Sequence, residues 1–381
     1  MTNNLRNLRV CMEDRMLLAS GTGIATYARA LRSAQCEISD EAFLLSGGAN
    51  GYPDARQAAS MRALRSLKAL LPHERRVRAI DKVFLANDVF RLGQAYFNRH
   101  GRAMPVRPDG PPGIMHWTYP VPLHLCGWRN LYTVHDAIPL TDPELTPIAS
   151  DRHRRLLEAV ASVSDTIVTV SESAARDVAR VLGGVGGQIV DCSQPVVLSS
   201  EEPLDLPSTV SSGRYLLVCG SVEPRKNIAR IIEAHAKSGT ALPLVLAGPD
   251  GWRADTIDLA NAGDRVIRLP YQSRGSMIAL IASARALLMP SLAEGFGLPV
   301  AEAMMLGTPV ITSRYGALAE TAGAAALLVD PRDSCALAIA IARISTDDAF
   351  CATLRERGLA QRERFSMERF VTRLATLYDA L

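Results

Sequence analysis

Short apolar runs alternate along the chain with segments of helical length that carry apolar residues on one face. The runs are apolar at consecutive positions, which is typical of strands buried on both faces of a parallel sheet. Their alternation with helices predicts an α/β fold built from parallel sheets. We predict strands at 8–12, 113–118, 131–135, 166–170 and 188–190, and at 215–220, 242–248, 265–269, 286–290, 309–312 and 326–329.

Residues 193–212 separate the two sets of predicted strands and are rich in Ser, Pro and acidic residues, with no apolar periodicity. A chain of 381 residues is long enough for two domains. We therefore predict an N-terminal domain over 1–195, a linker over 196–212 and a second domain over 213–365, with a cleft between the domains.

The chain ends in one further predicted helix over 366–381, with Ser366 as a candidate N-cap and Glu368 in its first turn. Its apolar residues form a single stripe and are Phe370, Val371, Leu374, Leu377, Tyr378 and Leu381. A helix with one apolar stripe must pack against another surface.

Composition excludes several classes of protein. Apolar residues make up 48% and charged residues 21% of the chain, as in ordinary globular proteins and unlike disordered or fibrous ones. The seven cysteines form no Cys-x-x-Cys pair, so we expect reduced thiols instead of a disulfide framework or a structural zinc. No apolar run reaches the roughly 20 residues of a membrane span, and no apolar signal segment is visible, so we expect a cytoplasmic protein.

The charge of the chain is uneven. The formal net charge is +3, but residues 56–102 contain eleven Lys and Arg and three Asp and Glu, a net charge of +8. The same stretch has apolar residues at helical spacing: Leu64, Leu67, Leu70, Leu71, Val83, Phe84, Phe90 and Phe97. Two interpretations stay open, namely ordinary solvated helix faces or a surface that meets anionic lipid or a phosphorylated acceptor.

The first motif that carries chemistry is Gly21-Thr22-Gly23, between the first predicted strand and a helix. Glycines let backbone N–H groups approach an anion, and a helix N-terminus favours negative charge. Because Thr26 stands at the third glycine position, the motif is not a full dinucleotide fingerprint, and a plain glycine turn is the alternative.

The second motif runs from Gly220-Ser221 through Arg225-Lys226 to Asn227, after a buried strand. We expect Asn227 to cap a helix over 228–237. Two cations beside a helix N-terminus repel its dipole unless an anion lies between them, which indicates a diphosphate site. A pair of solvated basic residues is the alternative.

The third motif is EGFGLPVAE, from Glu294 to Glu302, between a strand and a helix that starts near Pro299. We expect both carboxylates to face one strand-end crevice, where they can accept hydrogen bonds from sugar hydroxyls. Helix-start glutamates favoured only by the dipole are the alternative.

The fourth motif is His135, followed by Asp136, at the end of a predicted strand. A histidine at this position faces the same kind of crevice, and an ordinary core histidine is the alternative.

These strings together resemble the retaining, nucleotide-sugar-dependent glycosyltransferases of family 4. The matching strings occur in the family's order and are GTGIATYARAL, TVHDAIPL, TIVTVSESAARD, CGSVEPRKNIARIIEAH, LVLAGPDGW, LLMPSLAEGFGLPVAEAMMLGTPVITS and LLVDP. The resemblance implies the GT-B fold, with two Rossmann-like parallel-sheet domains facing a cleft. It also implies that the terminal helix crosses back to pack on the N-terminal domain.

The resemblance further implies roles for individual residues. Arg225 and Lys226 would hold the donor diphosphate and stabilise the leaving group, near Gly220, Ser221 and the Gly21–Gly23 loop. Glu302 would bind the donor ribose and Glu294 the hydroxyls of the transferred sugar. His135 would contact that sugar near its anomeric carbon. Backbone N–H groups would come from Phe296, Gly297 and Leu298.

Three positions depart from the family pattern. Ser221 stands where many members have arginine, and Ile281 where tyrosine is common. Residues 269–271 (Leu-Pro-Tyr) replace a usual glycine near the expected nucleobase, which leaves the base preference open.

The SVEPRKN and GPDGW strings are most similar to mannosyltransferases of surface-polysaccharide assembly. They imply transfer of a hexose, above all mannose from GDP-mannose, with retention of configuration to a lipid-linked or oligosaccharide acceptor, at the inner face of the membrane. A UDP- or dTDP-sugar donor, a sugar-nucleotide epimerase or phosphorylase, and a non-catalytic scaffold that binds nucleotide sugars remain alternatives. The chain has no Asp-x-Asp sequence, so we expect neither a metal nor another cofactor.

Overall fold

The computed structural model describes residues 5–18, 23–48, 65, 67–69, 74–198, 202–257 and 263–381. The chain forms two compact units. The first unit comprises Met1–Thr141, Ile148–Pro195 and Met367–Leu381, and the second comprises Asp142–Pro147 and Val196–Ser366. The end of the chain therefore belongs to the unit built from its N-terminal half.

The first unit is an α/β structure with two sheets. Its strands are β1 (Val10–Glu13), β2 (Ala42–Ser46), β3 (Arg75–Val77), β4 (Ala79–Ile80), β5 (Val83–Leu85), β6 (Met104–Pro108), β7 (Ile114–Trp117), β8 (Leu123–Leu125), β9 (Arg129–Val134), β10 (Thr166–Thr169) and β11 (Gln188–Asp191). Its first helices are α1 (Gly23–Ile38), α2 (Val89–His100), α3 (Ile138–Thr141), α4 (Ser150–Ala161) and α5 (Glu172–Leu182). The larger sheet has the order β11-β10-β9-β7-β1-β2-β5-β4 and the smaller one β3-β6-β8. Only β4 and β5 pair antiparallel among the described strands.

The second unit has one parallel sheet with the order β14-β13-β12-β15-β16-β17. Its strands are β12 (Leu216–Cys219), β13 (Leu244–Ala247), β14 (Val266–Leu269), β15 (Ala286–Met289), β16 (Val310–Ser313) and β17 (Leu327–Val329). Its helices are α6 (Ile228–Lys237), α7 (Arg274–Ser283), α8 (Leu298–Leu306), α9 (Gly316–Ala322), α10 (Ser334–Thr346) and α11 (Asp348–Ala360).

The terminal helix α12 (Met367–Asp379) packs on α1 within the first unit. Its predicted apolar stripe is buried as far as Tyr378, with Phe370 and Leu374 fully enclosed, whereas Leu381 lies beyond the helix end and is only partly buried. The Tyr378 hydroxyl lies 3.1 Å from Nε2 of Gln35 and 2.9 Å from Nδ1 of His116, both of which are buried. Apolar packing thus attaches α12 to the first unit, and the polar contacts of Tyr378 fix the register of the helix.

Each large sheet has a point where its strand order reverses. In the second unit the chain proceeds from β12 to β13 and β14, then crosses to β15 on the other side. In the first unit the corresponding reversal lies between β1 and β7. Ligands of open α/β sheets bind at the carboxyl ends of strands at such a reversal, so we expect ligand sites at these two edges.

All eleven predicted strands are confirmed, with ends that differ by no more than a few residues. The strands that the sequence did not predict belong to the first unit and are β2, β3, β4, β5, β6 and β8. Most are very short, and β6 contains Pro105 and Pro108, which disfavour a strand. All seven cysteines are free thiols. Among the described helices, none combines the length and apolar character that a membrane crossing requires.

Candidate active site

The reversal point of the second unit joins two of the motifs. β12 and β15 end side by side and lead into the loops that carry Arg225 and Glu294. Leu292 N donates to Arg225 O at 2.9 Å, and Nη1 of Arg225 donates to Ala293 O at 3.0 Å. Strand order therefore brings together motifs that lie far apart in the sequence.

Gly220 follows β12 with φ +112°, a conformation that L side chains rarely adopt. A Cβ atom on Gly220 would lie 3.4 Å from Cε of Lys226. A Cβ atom on Gly248, after β13, would lie 2.2 Å from the Gly220 carbonyl oxygen. The strand-end backbone is thus closely packed beneath the amine of Lys226.

The prediction that the Asn227 side chain caps α6 is wrong. Asn227 directly precedes the helix, but its φ is +62° and its side chain makes no cap hydrogen bond. Its Nδ2 instead donates to the carbonyl oxygens of Pro290 at 3.1 Å and Pro331 at 2.6 Å. The Asn227 side chain thus supplies donors to two buried carbonyls instead of capping the helix, and it joins the ends of β15 and β17.

Arg225, Lys226 and Glu294 form one ionic cluster, and Glu223 is a member that the sequence did not indicate. Nζ of Lys226 lies 2.7 Å from Oε1 of Glu294, and Nη1 of Arg225 lies 2.6 Å from Oε2. Nη2 of Arg225 donates to Oε1 of Glu223 at 2.7 Å. The Lys226 and Glu294 side chains are each only 11% exposed, so solvent screens this pair weakly.

Burial by itself would raise the pKa of Glu294. The positive charges of Lys226 and Arg225, together with their hydrogen bonds, outweigh that effect and lower the pKa to about 2. Glu294 is therefore an anion throughout the physiological pH range, and it pairs with two cations that lie just before the start of α6.

Glu302 lies on α8 and is almost fully buried, at 2% exposure. Its Oε1 lies 2.7 Å from Nη1 of Arg274, the first residue of α7, whose Nη2 also donates to Val197 O at 2.8 Å. Burial raises the pKa of Glu302, and the Arg274 charge opposes that rise. The sequence analysis missed Arg274, although a cation in the first turn of a helix is the same signal that Arg225 and Lys226 gave.

The two ion pairs converge on one strand end. The charges of Glu302, Lys226, Arg274 and Glu294 all act on the buried thiol of Cys219, the last residue of β12. The expectation that Glu294 and Glu302 face one strand-end crevice stays a prediction.

The loop after Glu294 is held by its own packing. The Phe296 ring is buried edge-on against Phe365 at 5.8 Å between centroids, and the Phe296 carbonyl accepts a hydrogen bond from Thr321 Oγ1 at 2.6 Å. Gly297 has φ +92°, and a Cβ there would lie 2.5 Å from Leu318 Cδ2. Leu298 begins α8, so Phe296 and Leu298 can serve a ligand through backbone N–H groups instead of side chains.

Ser221 stands between Gly220 and a short bridge of Val222 with Asp250. A Cβ at Gly251 would lie 3.0 Å from Cβ of Ser221, which places the serine beside the turn that follows β13.

In the first unit, Gly21 and Thr22 lie outside the described residues. Gly23 is the first residue of α1 and is exposed, and a Cβ there would meet no atom of the described residues within 4 Å. These described neighbours do not require a glycine, which fits either a position open to a ligand or a plain turn.

His135 directly follows β9 and is partly buried. Its Nε2 donates to the Thr118 carbonyl oxygen at 2.8 Å, which leaves Nδ1 as the acceptor of the neutral ring. Burial lowers the pKa of His135, while the Thr118 contact and the Asp136 charge oppose the shift. The Tyr27 ring packs edge-on against it at 5.0 Å.

Glu13 is a residue of this edge that the sequence did not indicate. It ends β1 at the reversal point, is fully buried, and accepts a hydrogen bond from the Thr118 hydroxyl. Burial raises the pKa of Glu13 to about 8, although the hydrogen bond from Thr118 acts to lower it. The carboxyl is therefore mostly protonated at neutral pH. Glu13 and His135 thus both contact Thr118, one through its hydroxyl and the other through its carbonyl.

Within the described part of the chain, no three His, Cys, Asp or Glu side chains are grouped so that they could hold a metal ion. The expectation of a metal-independent reaction stays a prediction.

The chain is similar to known glycosyltransferases over much of its length. The sequence profile of the family described as Glycosyl transferases group 1 matches residues 208–361. The O-antigen chain mannosyltransferase B of Escherichia coli is 32% identical over 271 residues, which are 66% of this chain and 71% of that protein. A serotype-specific mannosyltransferase WbdA of Escherichia coli is 28% identical over 277 residues, but these are only 33% of that longer protein.

Solved structures share the fold across nearly the whole chain. A sucrose-phosphate synthase from Thermosynechococcus elongatus has a TM-score of 0.68 at 20% identity, covering 98% of this chain and 99% of its own. Anabaena HepE in complex with UDP-glucose has a TM-score of 0.67 at 14% identity, covering 98% and 100%. These likenesses confirm the predicted GT-B fold class.

Proposed function

This chain belongs to the group 1 glycosyltransferases, and on that premise we propose that it transfers mannose from GDP-mannose to a growing surface polysaccharide. The support is that two relatives aligned over 66% of the chain are named mannosyltransferases, one of them for the O-antigen chain. The acceptor is then an oligosaccharide or a lipid-linked glycan.

The observation that carries the proposal is the buried ionic cluster of Lys226, Arg225 and Glu294 at a strand-order reversal. When the bond between C1 of mannose and the diphosphate oxygen breaks, its electron pair leaves with the oxygen. Negative charge then grows on the diphosphate, and preorganised cations stabilise it most in that state. Lys226 and the start of α6 supply this positive charge.

The two glutamates fit separate parts of the donor. Glu302 is fixed by Arg274 and buried, so it offers a rigid acceptor for two vicinal ribose hydroxyls. Glu294 would turn from the cations toward the hydroxyls of mannose once the diphosphate replaces its charge beside Lys226. Backbone N–H groups near Phe296 and Leu298 would complete the sugar contacts.

We propose retention of configuration, following the family resemblance. The acceptor oxygen forms its bond to C1 on the face from which the diphosphate leaves, and the acceptor proton passes to the departing phosphate oxygen. The neutral His135 then orients and stabilises the sugar near C1 and is not an obligatory base. No cofactor and no metal enters this scheme.

A ligand panel and a product assay test the proposal. GDP should stabilise the protein more than UDP, ADP or dTDP at equal concentration. At 100 times its Kd, GDP should raise the free energy of unfolding by about 2.7 kcal/mol. Incubation with GDP-mannose and a mannan oligosaccharide in excess chelator should release GDP and give a product with the α-anomeric NMR signal.

Each alternative has its own signature in these experiments. A larger shift with UDP or dTDP contradicts the GDP assignment, and donor isomerisation without acceptor indicates an epimerase. Donor binding without release of nucleoside diphosphate indicates a scaffold. An inverted anomeric signal contradicts retention, and activity that returns only with magnesium or manganese contradicts metal independence.

A further inference from the structure

Glu223 places a second carboxylate in the ionic cluster. Its side chain is 18% exposed, and its Oε1 accepts a hydrogen bond from Nη2 of Arg225 at 2.7 Å. With Glu294, the cluster contains two carboxylates and two cations, so its formal charge is zero.

Arg225 and Lys226 are held in different ways. Arg225 contacts Glu223 through Nη2, and Ala293 O and Glu294 through Nη1, so its guanidinium ties the loop after β12 to the loop after β15. Among the described residues, Glu294 is the one ion-pair partner of Lys226. An incoming anion can therefore displace Glu294 from Lys226 while Arg225 keeps its contacts with Glu223 and the Ala293 carbonyl oxygen.

We propose that Glu223 is a positioning residue that shares Arg225 with Glu294. In this arrangement Arg225 holds the two loops together, and Lys226 is the cation that binds the diphosphate. This inference rests on the proposed function, since it assigns parts within the same donor site. Without Glu223, both cations would compete for the single carboxylate of Glu294. Glu294 would then be held more firmly away from the sugar, while the site would carry one more positive charge.

Two opposite effects follow for the isosteric substitution Glu223→Gln. GDP should bind about three- to tenfold more tightly, because a buried cluster of net charge +1 attracts the diphosphate. Turnover should fall about tenfold or more, because a misplaced Glu294 no longer orients the sugar. A residue that only supported the fold would weaken binding and turnover together.

The experiment measures GDP affinity by calorimetry and sugar transfer by kinetics in the wild type, Glu223→Gln and Glu223→Asp. The aspartate restores the charge, so GDP affinity should return to the wild-type value and turnover should recover in part. Glu233→Gln is the matched control, because it removes an exposed carboxylate on α6 outside the cluster and should change neither quantity.

Tighter GDP binding with slower turnover supports the assignment. Wild-type values in Glu223→Gln, or a loss of both affinity and turnover, overturn it. If the wild type transfers no sugar, the proposed function fails. The change in GDP affinity on its own then still supports or overturns the sharing of Arg225 between Glu223 and Glu294.

Discussion

Nζ of Lys226 and Oε1 of Glu294 are 2.7 Å apart, so the cation assigned to the leaving group contacts the carboxylate assigned to the sugar. In the absence of donor, each charge neutralises the other. The donor diphosphate would take over Lys226 and release Glu294 to the sugar, which couples binding of one end of the donor to recognition of the other.

Lys226→Ala should reduce turnover about 100-fold or more, because a charged hydrogen bond that strengthens in the transition state is lost. The fold should persist, since the cluster lies at a strand end and not in the apolar core. Steady-state kinetics and a thermal melt measure both effects. Lys237→Ala removes an exposed amine at the last residue of α6, outside the cluster, and should leave turnover unchanged. Near-normal turnover in Lys226→Ala would contradict the diphosphate assignment.

The two glutamates should separate in a binding experiment. Glu302→Ala should weaken GDP binding, because the ribose loses its acceptor and Arg274 loses its partner. Glu294→Ala should still bind GDP but should lose the additional affinity that the sugar gives to GDP-mannose. Calorimetry of both variants with both ligands measures the difference. Equal losses of GDP affinity would show that the roles are not divided in this way.

Glu13 should make stability depend on pH. Its pKa rises from 4.5 to about 8 in the folded protein, so its protonated form stabilises the fold fully below pH 4.5, and this contribution is lost as the pH rises through about 8. Relative to Glu13→Gln, the wild type should lose about 4 kcal/mol of unfolding free energy between pH 4.5 and pH 8. Denaturant melts at several pH values measure this difference, and parallel pH profiles would contradict the buried acid.

The basic stretch 56–102 can be tested as a membrane surface. Of its predicted apolar residues, Leu64, Leu70 and Leu71 lie outside the described residues. Phe84 and Phe97 are buried in the core, so the apolar residues of this stretch do not all lie on an exposed face. Leu67 at 63%, Ile80 at 67% and Leu85 at 48% are exposed, whereas the cations Arg65, Arg78 and Lys82 are already ion-paired.

If this surface meets anionic lipid, sedimentation with anionic vesicles should weaken as salt rises, because exposed charges are screened over about 8–10 Å. Ile80→Glu should weaken binding further. Leu204→Glu, which changes an equally exposed apolar residue of the second unit, is the control. Binding that ignores salt and anionic lipid would favour ordinary solvated faces.

Much of the candidate site could be predicted because its motifs are local. The strand ends, the glycine loop before α8 and the helix after Lys226 all follow from patterns within ten or so residues. Arg274 and Glu13 could not be found in the same way, because their partners Glu302 and Thr118 come from distant parts of the sequence. Thr118 and Glu13, for example, are 105 residues apart in the sequence. Glu223 lies only two residues from Arg225, but no sequence pattern indicates that the two side chains pair.

The sequence by itself determined the α/β architecture, eleven of the strands and the identities of Arg225, Lys226, Glu294 and Glu302. The strands depend on whether the side chains of each short segment are buried or exposed to water, and the motifs depend on local backbone geometry. The tertiary structure alone decided that Asn227 joins two strand ends instead of capping α6, and that Arg225 is shared between Glu223 and Glu294. The physical reason is that strand order selects which loops become neighbours, and only then do burial and opposite charge select each partner.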